Sequence, residues 1–546
     1  MVIRFEKSAH VAENIVDDSV RVIADAVDTT GFEQWGTDPL PLVVFNTTGW
    51  GRSGTVSIEL DAKRLYFREG YSLEETSRRM KEVDLSGRVL VNAQGQAVPC
   101  TVEDLGLQFG YDLPDDRFRQ PYMCRRVRLT FEASGIPAMG LTAYAWVKSE
   151  VKPADTGSLI SQSNVLENDL IKVEIQSDGS FSLTDKKNGQ VYRDLGVYEN
   201  TGDIGNEYMY KQPDGEVPLT TKGLTADITV LEDTPYRASV EIVHNWSIPA
   251  MADSKLDEEQ HELVYYPNRK AQRSSETVPM RIRTVVSLNR SGKGVEIEAT
   301  LDNQAKDHRV RALFPTDLEA SSHYVDSMFE VAKRDNEPAA EWENPSYTAH
   351  QQAFVDVTAA AAGLTVANQG LNEYEVLRDG RNTIAVTLLR SVGELGDWGY
   401  FPTPEAQCIG VHTVRMEVIP HQGDGIASGA YAEAYQFQIP WTAAQTGVHT
   451  GQVASTSAPL AWSREELAFS SLKVNPNTGD LMLRWFNLAG TDAELALTSS
   501  LPSQGVYKSN ILEEEGAVQS FDVNGSFTLP VKPYEILTLG VKVSAE

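Results

Sequence analysis

The densest run of chemistry-bearing side chains is "LDNQAKDHRVRALFP", residues 301–315. It places Asp302, Asn303, Lys306, Asp307, His308, Arg309 and Arg311 between apolar, β-prone flanks. His308 oriented by Asp307 would make a general base, with Arg309 or Arg311 binding an anion or a sugar oxygen. The same run also reads as scaffold. Asp302 and Asn303 suit a turn that ends a strand. Arg309 and Arg311 then share one face of the next strand, where paired arginines make interdomain ion pairs. Residue types alone leave both readings open.

Two further runs combine aromatic and polar side chains. In "GDIGNEYMYKQPDG", residues 202–215, Tyr208 and Tyr210 fall on the same side of an extended chain. Tyrosine rings stack on the C–H faces of pyranoses while their hydroxyls bond to sugar oxygens; a tyrosine packed over a sheet is the alternative. In "TLLRSVGELGDWGYFPTPEAQCIG", residues 387–410, Arg390 follows an apolar strand and Trp398, Tyr400 and Phe401 follow a Gly-rich turn. This reads as a long ordered loop, the kind of segment that carries function. Core packing is the favoured reading of its aromatic rings. The sequence contains no GxSxG elbow, HExxH helix or P-loop. None of its nine histidines is followed by an acid two residues on, and "HQGD" at 421–424 has the wrong spacing to aim two ligands at one metal. No catalytic residue and no metal ligand are therefore assigned.

A chain of 546 residues exceeds one core, so several domains are expected. Its 48 basic and 77 acidic residues give a net charge of −29. That field disfavours nucleic acid and anionic membranes as partners, and is compatible with a neutral substrate such as a sugar. Three cysteines, Cys100, Cys124 and Cys408, form neither a CxxC pair nor a disulfide framework. The opening "MVIRFEKSAH" has no secretory pattern, so a cytoplasmic protein is expected.

Four parts must position these residues. Residues 1–28 read as one helix with two apolar stripes, Val16/Val20/Ile23/Val27 and Val11/Ile15/Val22/Ala26. Two stripes need partners on two sides, as in a helix taken from a bundle. After a linker at 28–41, residues 38–150 read as a β-sandwich with a helical insert at 72–83. Ser72 and Glu75 there match a capping box. Residues 160–445 read as a large β region that opens with a meander turned at "SDGS" and "KKNGQ". Residues 458–546 read as a terminal β-sandwich. The expected class is mainly β, built from antiparallel sheets packed face to face.

Taken together and in order, these stretches resemble glycoside hydrolase family 38, the α-mannosidases, in its bacterial branch. "LVVFNTTGWGRSGTVSI" is similar to the family's first post-catalytic strand pair. "VLENDLIKVEIQSDGSFSLTDKKNGQVY" is similar to the start of its large β domain. "GDIGNEYMY", "LDNQAKDHRVRALFP" and "TLLRSVGELGDWGYFPTPEAQC" are similar to three further signatures. The resemblance implies that residues 160–445 form a galactose-mutarotase-like supersandwich and that residues 1–28 are the last helix of a three-helix bundle. It implies a parent enzyme that is a retaining, zinc-dependent α-mannosidase, with its nucleophile, acid/base carboxyl and zinc ligands in an N-terminal catalytic domain absent from this sequence. The chain alone is then expected to be inactive, to hold no zinc, and to complete the mannose site. Tyr208 matches a family tyrosine that reaches the mannose, with Tyr210 as the other candidate, and Arg390 matches an arginine near the substrate channel. The expected partners are a mannose-containing carbohydrate and the missing catalytic domain, and a homo-oligomer is compatible with this. A stand-alone carbohydrate-binding β-sandwich protein, with Tyr208, Trp398 and Tyr400 lining a sugar site, is the alternative. A separate sugar-active enzyme using His308 is a third.

Overall fold

The computed structural model describes all residues except 1, 37, 115, 155, 344, 345, 397, 464 and 544–546. The chain begins with the helix Val2–Ala24. Only its C-terminal end is buried: Val20, Ala24 and the following Val27 pack with Phe32 onto Val43, Phe45, Ala143 and Ala145. Val11, Ile15, Val16, Val22 and Ile23 stay exposed, as do Ile3 and Phe5. The Val11/Ile15/Val22 stripe thus lies uncovered, while the other is covered at Val20 and Val27 and open at Val16 and Ile23. The segment after the helix is more than a linker, because Thr30–Trp35 forms a short 3-10 helix whose Phe32 is buried in the same cluster.

The first β unit pairs Leu40–Asn46 with Gly140–Lys148, and Arg52–Tyr66 with Gln120–Ile136. Its core holds Leu42, Val44, Leu60, Leu129, Phe131, Tyr144 and Trp146. The other face of Gly140–Lys148 carries Ala143, Ala145 and Val147 against the helix end, so this strand is buried on both sides and loses polar alternation. The insert forms the helix Leu73–Lys81, and Ser72 Oγ caps it by accepting from the Glu75 N–H at 3.1 Å. Only half of the capping box forms, because the Glu75 carboxylate bonds Arg78 and Arg79 instead. Thr442–Gln445 returns to this sheet to pair with Leu40–Asn46, and Thr456–Ser457 pairs with Gly140–Lys148. Residues 442–457 therefore complete the first unit, across the boundary expected at 445.

The large β region contains a nine-stranded and a six-stranded sheet. Val286, Ile297, Met416 and Val418 of the larger sheet and Val310, Ala312, Phe314 and Val386 of the smaller belong to one buried cluster. The two inner faces thus share a single core, which fixes the direction of every alternate residue. Arg309 and Arg311 of the strand His308–Phe314 must point to the outer side of the smaller sheet. Glu296, Glu298 and Glu417 must point to the outer side of the larger one. The opening meander pairs Ile171–Ile175 with Phe181–Asp185 around Gly179, whose φ of 78° the Asp-Gly turn supplies. A terminal sandwich of three and four strands closes on Trp485, Leu495, Leu497 and Leu539. All sheets pair antiparallel, so the molecule is mainly β, as expected. None of the described helices is long and apolar enough to cross a membrane.

Candidate functional site

His308 is fully buried and bonded at both ring nitrogens. Arg273 Nη1 donates to Asn200 Oδ1 at 2.7 Å, which turns the Asn200 amide so that its NH2 donates to His308 Nδ1 at 2.8 Å. His308 Nε2–H then donates to Asn303 Oδ1 at 3.0 Å. Burial and the Arg273 charge push the imidazole down to about 3. Asp307 does not orient it. Its carboxylate accepts from the Ala252 N–H at 3.2 Å and from Gln407 Nε2 at 2.6 Å. A solvent-reachable His308–Asp307 base is thereby excluded: a neutral imidazole with both nitrogens bonded has no site left for a substrate proton. The run 301–315 ties two strands and the 407–408 turn together, with Asn303 Nδ2 donating to the carbonyls of Gln407 and Cys408.

The arginines next to it are structural in a different manner than interdomain pairing. Arg311 lies between Glu199 at 2.6 Å and Glu375 at 2.7 Å, both on strands of its own sheet. Arg309 stacks 3.5 Å over the Tyr210 ring and comes within 3.7 Å of Glu373. Tyr210 is held further by its hydroxyl, which donates to Thr201 Oγ1 at 2.9 Å, and burial pushes that hydroxyl up to about 12. Its ring has no free face to offer a ligand on the Arg309 side.

Tyr208 is the opposite case. The Asn206 carboxamide accepts from the N–H groups of Tyr208 and Met209, folding residues 206–209 into a turn. The chain is not extended here, so Tyr208 and Tyr210 diverge instead of sharing a side. Tyr208 is left 63% exposed. Gly205 is required for this turn, since a Cβ there would sit 1.9 Å from the Met209 carbonyl oxygen. Arg390 holds the turn in place. Its Nε donates to Asp203 Oδ2 at 2.7 Å, and its Nη atoms donate to the carbonyls of Asn206 and Glu207. Asp203 is fully buried and also accepts from the Gly205 and Lys211 N–H groups. A second buried pair, Arg269–Glu394 at 2.8 Å, adds bonds from Arg269 to the carbonyls of Ile204 and Gly205. Arg390 thus contacts the loop that carries Tyr208, and all three of its nitrogens are engaged there.

The 394–402 loop lies directly against this turn. The Glu207 N–H donates to the Glu394 carbonyl at 3.0 Å, and Gly396, at φ 92°, leaves room for the Asn206 side chain where a Cβ would clash. Trp398 on this loop is 82% exposed and meets Phe401 edge-on at 5.1 Å. These rings are not core, against the expectation from sequence. Tyr400 packs on His261 at 4.4 Å, and Tyr265 is exposed nearby in sequence. The helix that supplies His261, Lys255–His261, has no clear sequence signal, being short and acidic. The result is a group of accessible rings on loops, braced from beneath by two buried arginine–carboxylate pairs. Rings exposed on braced loops are available for contact with a ligand or a partner.

The family resemblance implies zinc, so the donor set is the test of fit. Among the described residues no group of three or more His, Cys, Asp or Glu side chains is placed to hold a metal ion. His421 of "HQGD" bonds buried Asp356 at 2.9 Å, and Asp424 accepts from the N–H groups of Ile426 and Ala427. The residues described here do not fit a zinc centre.

Sequence profiles of glycosyl hydrolases family 38 match three segments: C-terminal domain 1 at residues 37–148, the C-terminal domain at 166–395, and the C-terminal beta sandwich domain at 466–539. A putative mannosylglycerate hydrolase of Halalkalibacterium halodurans is 38% identical over 542 residues, covering 99% of this chain and 59% of that protein. The crystal structure of an alpha-mannosidase from Enterococcus faecalis V583 superposes with a TM-score of 0.91 at 36% identity, over 99% of this chain and 60% of that one. A second Enterococcus faecalis protein of the family gives 0.88 at 35% identity, over 99% and 62%. The chain spans about three-fifths of the length of each relative, and it belongs to glycoside hydrolase family 38, of which it comprises the C-terminal domains.

Proposed function

We propose that this chain is the C-terminal β portion of a retaining, zinc-dependent α-mannosidase, hydrolysing terminal α-D-mannosyl residues, whose nucleophile, acid/base carboxyl and zinc ligands come from polypeptide outside the chain. The observation that carries the reading is the coverage: 99% of this chain aligns with 59–60% of relatives named as a mannosylglycerate hydrolase and an alpha-mannosidase. The uncovered stripe of the helix Val2–Ala24 supports it, since an apolar helix face of this extent asks for a packing partner. We assign that helix to a bundle completed by the same outside polypeptide.

In this reading Tyr208 supplies the sugar contact, with Trp398 and Phe401 on the adjoining loop. Arg390, Asp203, Arg269 and Glu394 act as positioning residues: they touch the loops, and the loops touch the mannoside. Tyr208 stacks on C–H faces and bonds hydroxyls, leaving bond cleavage to the other polypeptide. Cytoplasmic residence is part of the same proposal.

The test is an aryl α-mannoside assay of the purified chain with added zinc, alongside metal analysis of the same sample. No turnover and no stoichiometric metal are expected. Turnover with bound zinc would overturn the reading. In the enzyme reconstituted with its catalytic polypeptide, Tyr208→Ala is expected to lower kcat/KM about 10–100-fold, equivalent to ~1.4–2.7 kcal/mol of transition-state binding. Because Tyr208 is exposed and its side chain braces nothing, the thermal midpoint is expected to stay unchanged. An unaltered kcat/KM would remove Tyr208 from the site.

A further inference from the structure

A cavity of about 460 Å³ opens elsewhere on the large sandwich, with no lining residue from the Tyr208 loops. Its floor is the outer face of the larger sheet, with Val285, Ser287, Glu296, Glu298, Arg415 and Glu417. One wall is the first β unit, with Arg52 and Thr55. The other is the helix Ala430–Phe437 and the turn after it, with Glu433 and Trp441. The first β unit, the larger sheet and the helix packed on that sheet therefore meet around an open space rather than closing on it.

Most charges lining it are paired. Glu298 is bonded by Arg415 at 2.8 Å. Glu296 accepts from Asn289 Nδ2 at 2.7 Å and lies 3.6 Å from Arg237. Lys293 stands 3.9 Å from Glu433. Several lining groups lack a hydrogen-bond partner, the buried Arg237 Nε–H among them. Glu417 is only 5% exposed, yet among the described residues nothing donates a hydrogen bond to its carboxyl and no cation lies within ion-pair distance. Arg52 stacks 4.2 Å over the Trp441 ring and donates Nη2 to the Ile439 carbonyl at 2.7 Å, but its buried Nη1 has no partner. A buried carboxyl and buried N–H groups without partners around one cavity are costly, and the Glu417 carboxyl is the group that faces the open space.

The pattern selects the ligand class. An anion would meet the Glu296 and Glu298 carboxylates and would find isolated N–H groups of Arg52 and Arg237 rather than a guanidinium fork. A cation would meet Arg52, and burial with the neighbouring Glu433 and Glu296 charges pushes the Glu417 carboxyl well above the usual range, toward its neutral form. A hydroxyl can exchange a hydrogen bond with Glu417 beside Arg52 while bringing no charge. Trp441, Phe437 and Val285 add apolar surface for a C–H face. The volume falls within the range of about 300–1,000 Å³ usual for small-molecule sites. The geometry points to a second carbohydrate site, built for a neutral saccharide of one or two rings and held between Glu417 and Arg52, separate from the Tyr208 loops.

The experiment is calorimetric titration of the full chain at pH 7 with methyl α-D-mannopyranoside, methyl α-D-glucopyranoside and maltose, with citrate and L-arginine as ionic probes. At least one saccharide is expected to bind saturably in wild type. Glu417→Gln and Arg52→Lys are each expected to weaken it about tenfold or more, and Tyr208→Ala to leave it unchanged. Two variants guard against one that fails to fold, with the melting curve checked for each. Three results would overturn the proposal: no saturable saccharide binding in wild type, binding that survives both cavity variants, or binding only of citrate or arginine. Loss of binding in Tyr208→Ala alone would also overturn it, by placing the sugar at the loops.

Discussion

Replacing Arg390 with alanine is expected to cost about 3–5 kcal/mol, the magnitude for removing one partner of a buried ion pair. Asp203 is fully buried, and Arg390 is its only cationic partner among the described residues. Burial already pushes that carboxyl up, and the Arg390 charge opposes the push. Without the guanidinium, the carboxylate is left with the Gly205 and Lys211 N–H groups, and the carbonyls of Asn206 and Glu207 lose their donors. The damage is therefore local first. Amide exchange over residues 203–211 is expected to accelerate well before the terminal sandwich loosens. The sign with pH follows from the same charge: acidification protonates Asp203 in the variant and neutralises the uncompensated group, so the penalty shrinks as pH falls. Asp203→Asn is expected to cost less, since Arg390 keeps two carbonyl acceptors and part of its solvent contact. Unchanged exchange in the 203–211 turn of Arg390→Ala would show that the pair does not brace Tyr208.

This brace also explains why an exposed ring can serve as a precise contact. A loop tyrosine on a mobile segment pays ordering entropy on every binding event. Here the turn is fixed by Gly205, by the Asn206 carboxamide and by two guanidinium groups, Arg269 buried and Arg390 partly so. Freedom remains in the Tyr208 side chain alone.

Local signals in the sequence carried the elements well. Asp178–Gly179 set the hairpin between Ile171–Ile175 and Phe181–Asp185, and Ser72 set the start of Leu73–Lys81. Alternation in "LMLRWFNLAG" and "EILTLGVKV" gave strands that pair with each other in the terminal sheet. What local signals missed was set by distant partners. Thr442 lies opposite Phe45, and nothing within either segment announces that pairing. The site was partly legible for the same reason. Tyr208 stood out as a residue type, but its separation from Tyr210 depends on the Asn206 turn and on Arg309, which lies under one ring only. Trp398 read as core because large aromatic residues usually are buried; its exposure follows from the loop being anchored through Glu394 and Gly396 instead of through the ring. A base at His308 stayed open as a reading because its neighbours in sequence are charged, whereas its neighbours in space are two carboxamides.

That last contrast has a measurable consequence in acid. His308 is depressed from the usual imidazole value of 6.5 to about 3 in the folded state. Between those values the folded chain holds it neutral while the unfolded chain protonates it. The unfolded state therefore binds more protons, and stability falls as pH drops through 6.5, with the loss ending near 3. Each pH unit inside that window removes about 1.4 kcal/mol, so moving from pH 7.5 to 5.0 is expected to remove about 2 kcal/mol through this residue. Protonation would also put a donor on Nδ1 facing the Asn200 NH2, whose orientation Arg273 fixes. His308→Gln keeps a donor and an acceptor in the gap between Asn200 and Asn303. It is expected to be less stable than wild type at pH 7.5 by about 1–3 kcal/mol, the cost of an imperfectly satisfied buried polar group. The two unfolding curves are then expected to converge as the pH is lowered to 5.0, because only the wild type carries the histidine term. Other buried groups titrate in the same range, but they are common to both proteins and cancel in the difference. Parallel stability–pH profiles for wild type and His308→Gln would mean that this imidazole is protonated inside the fold, and its place as a neutral strut between two asparagines would have to be given up.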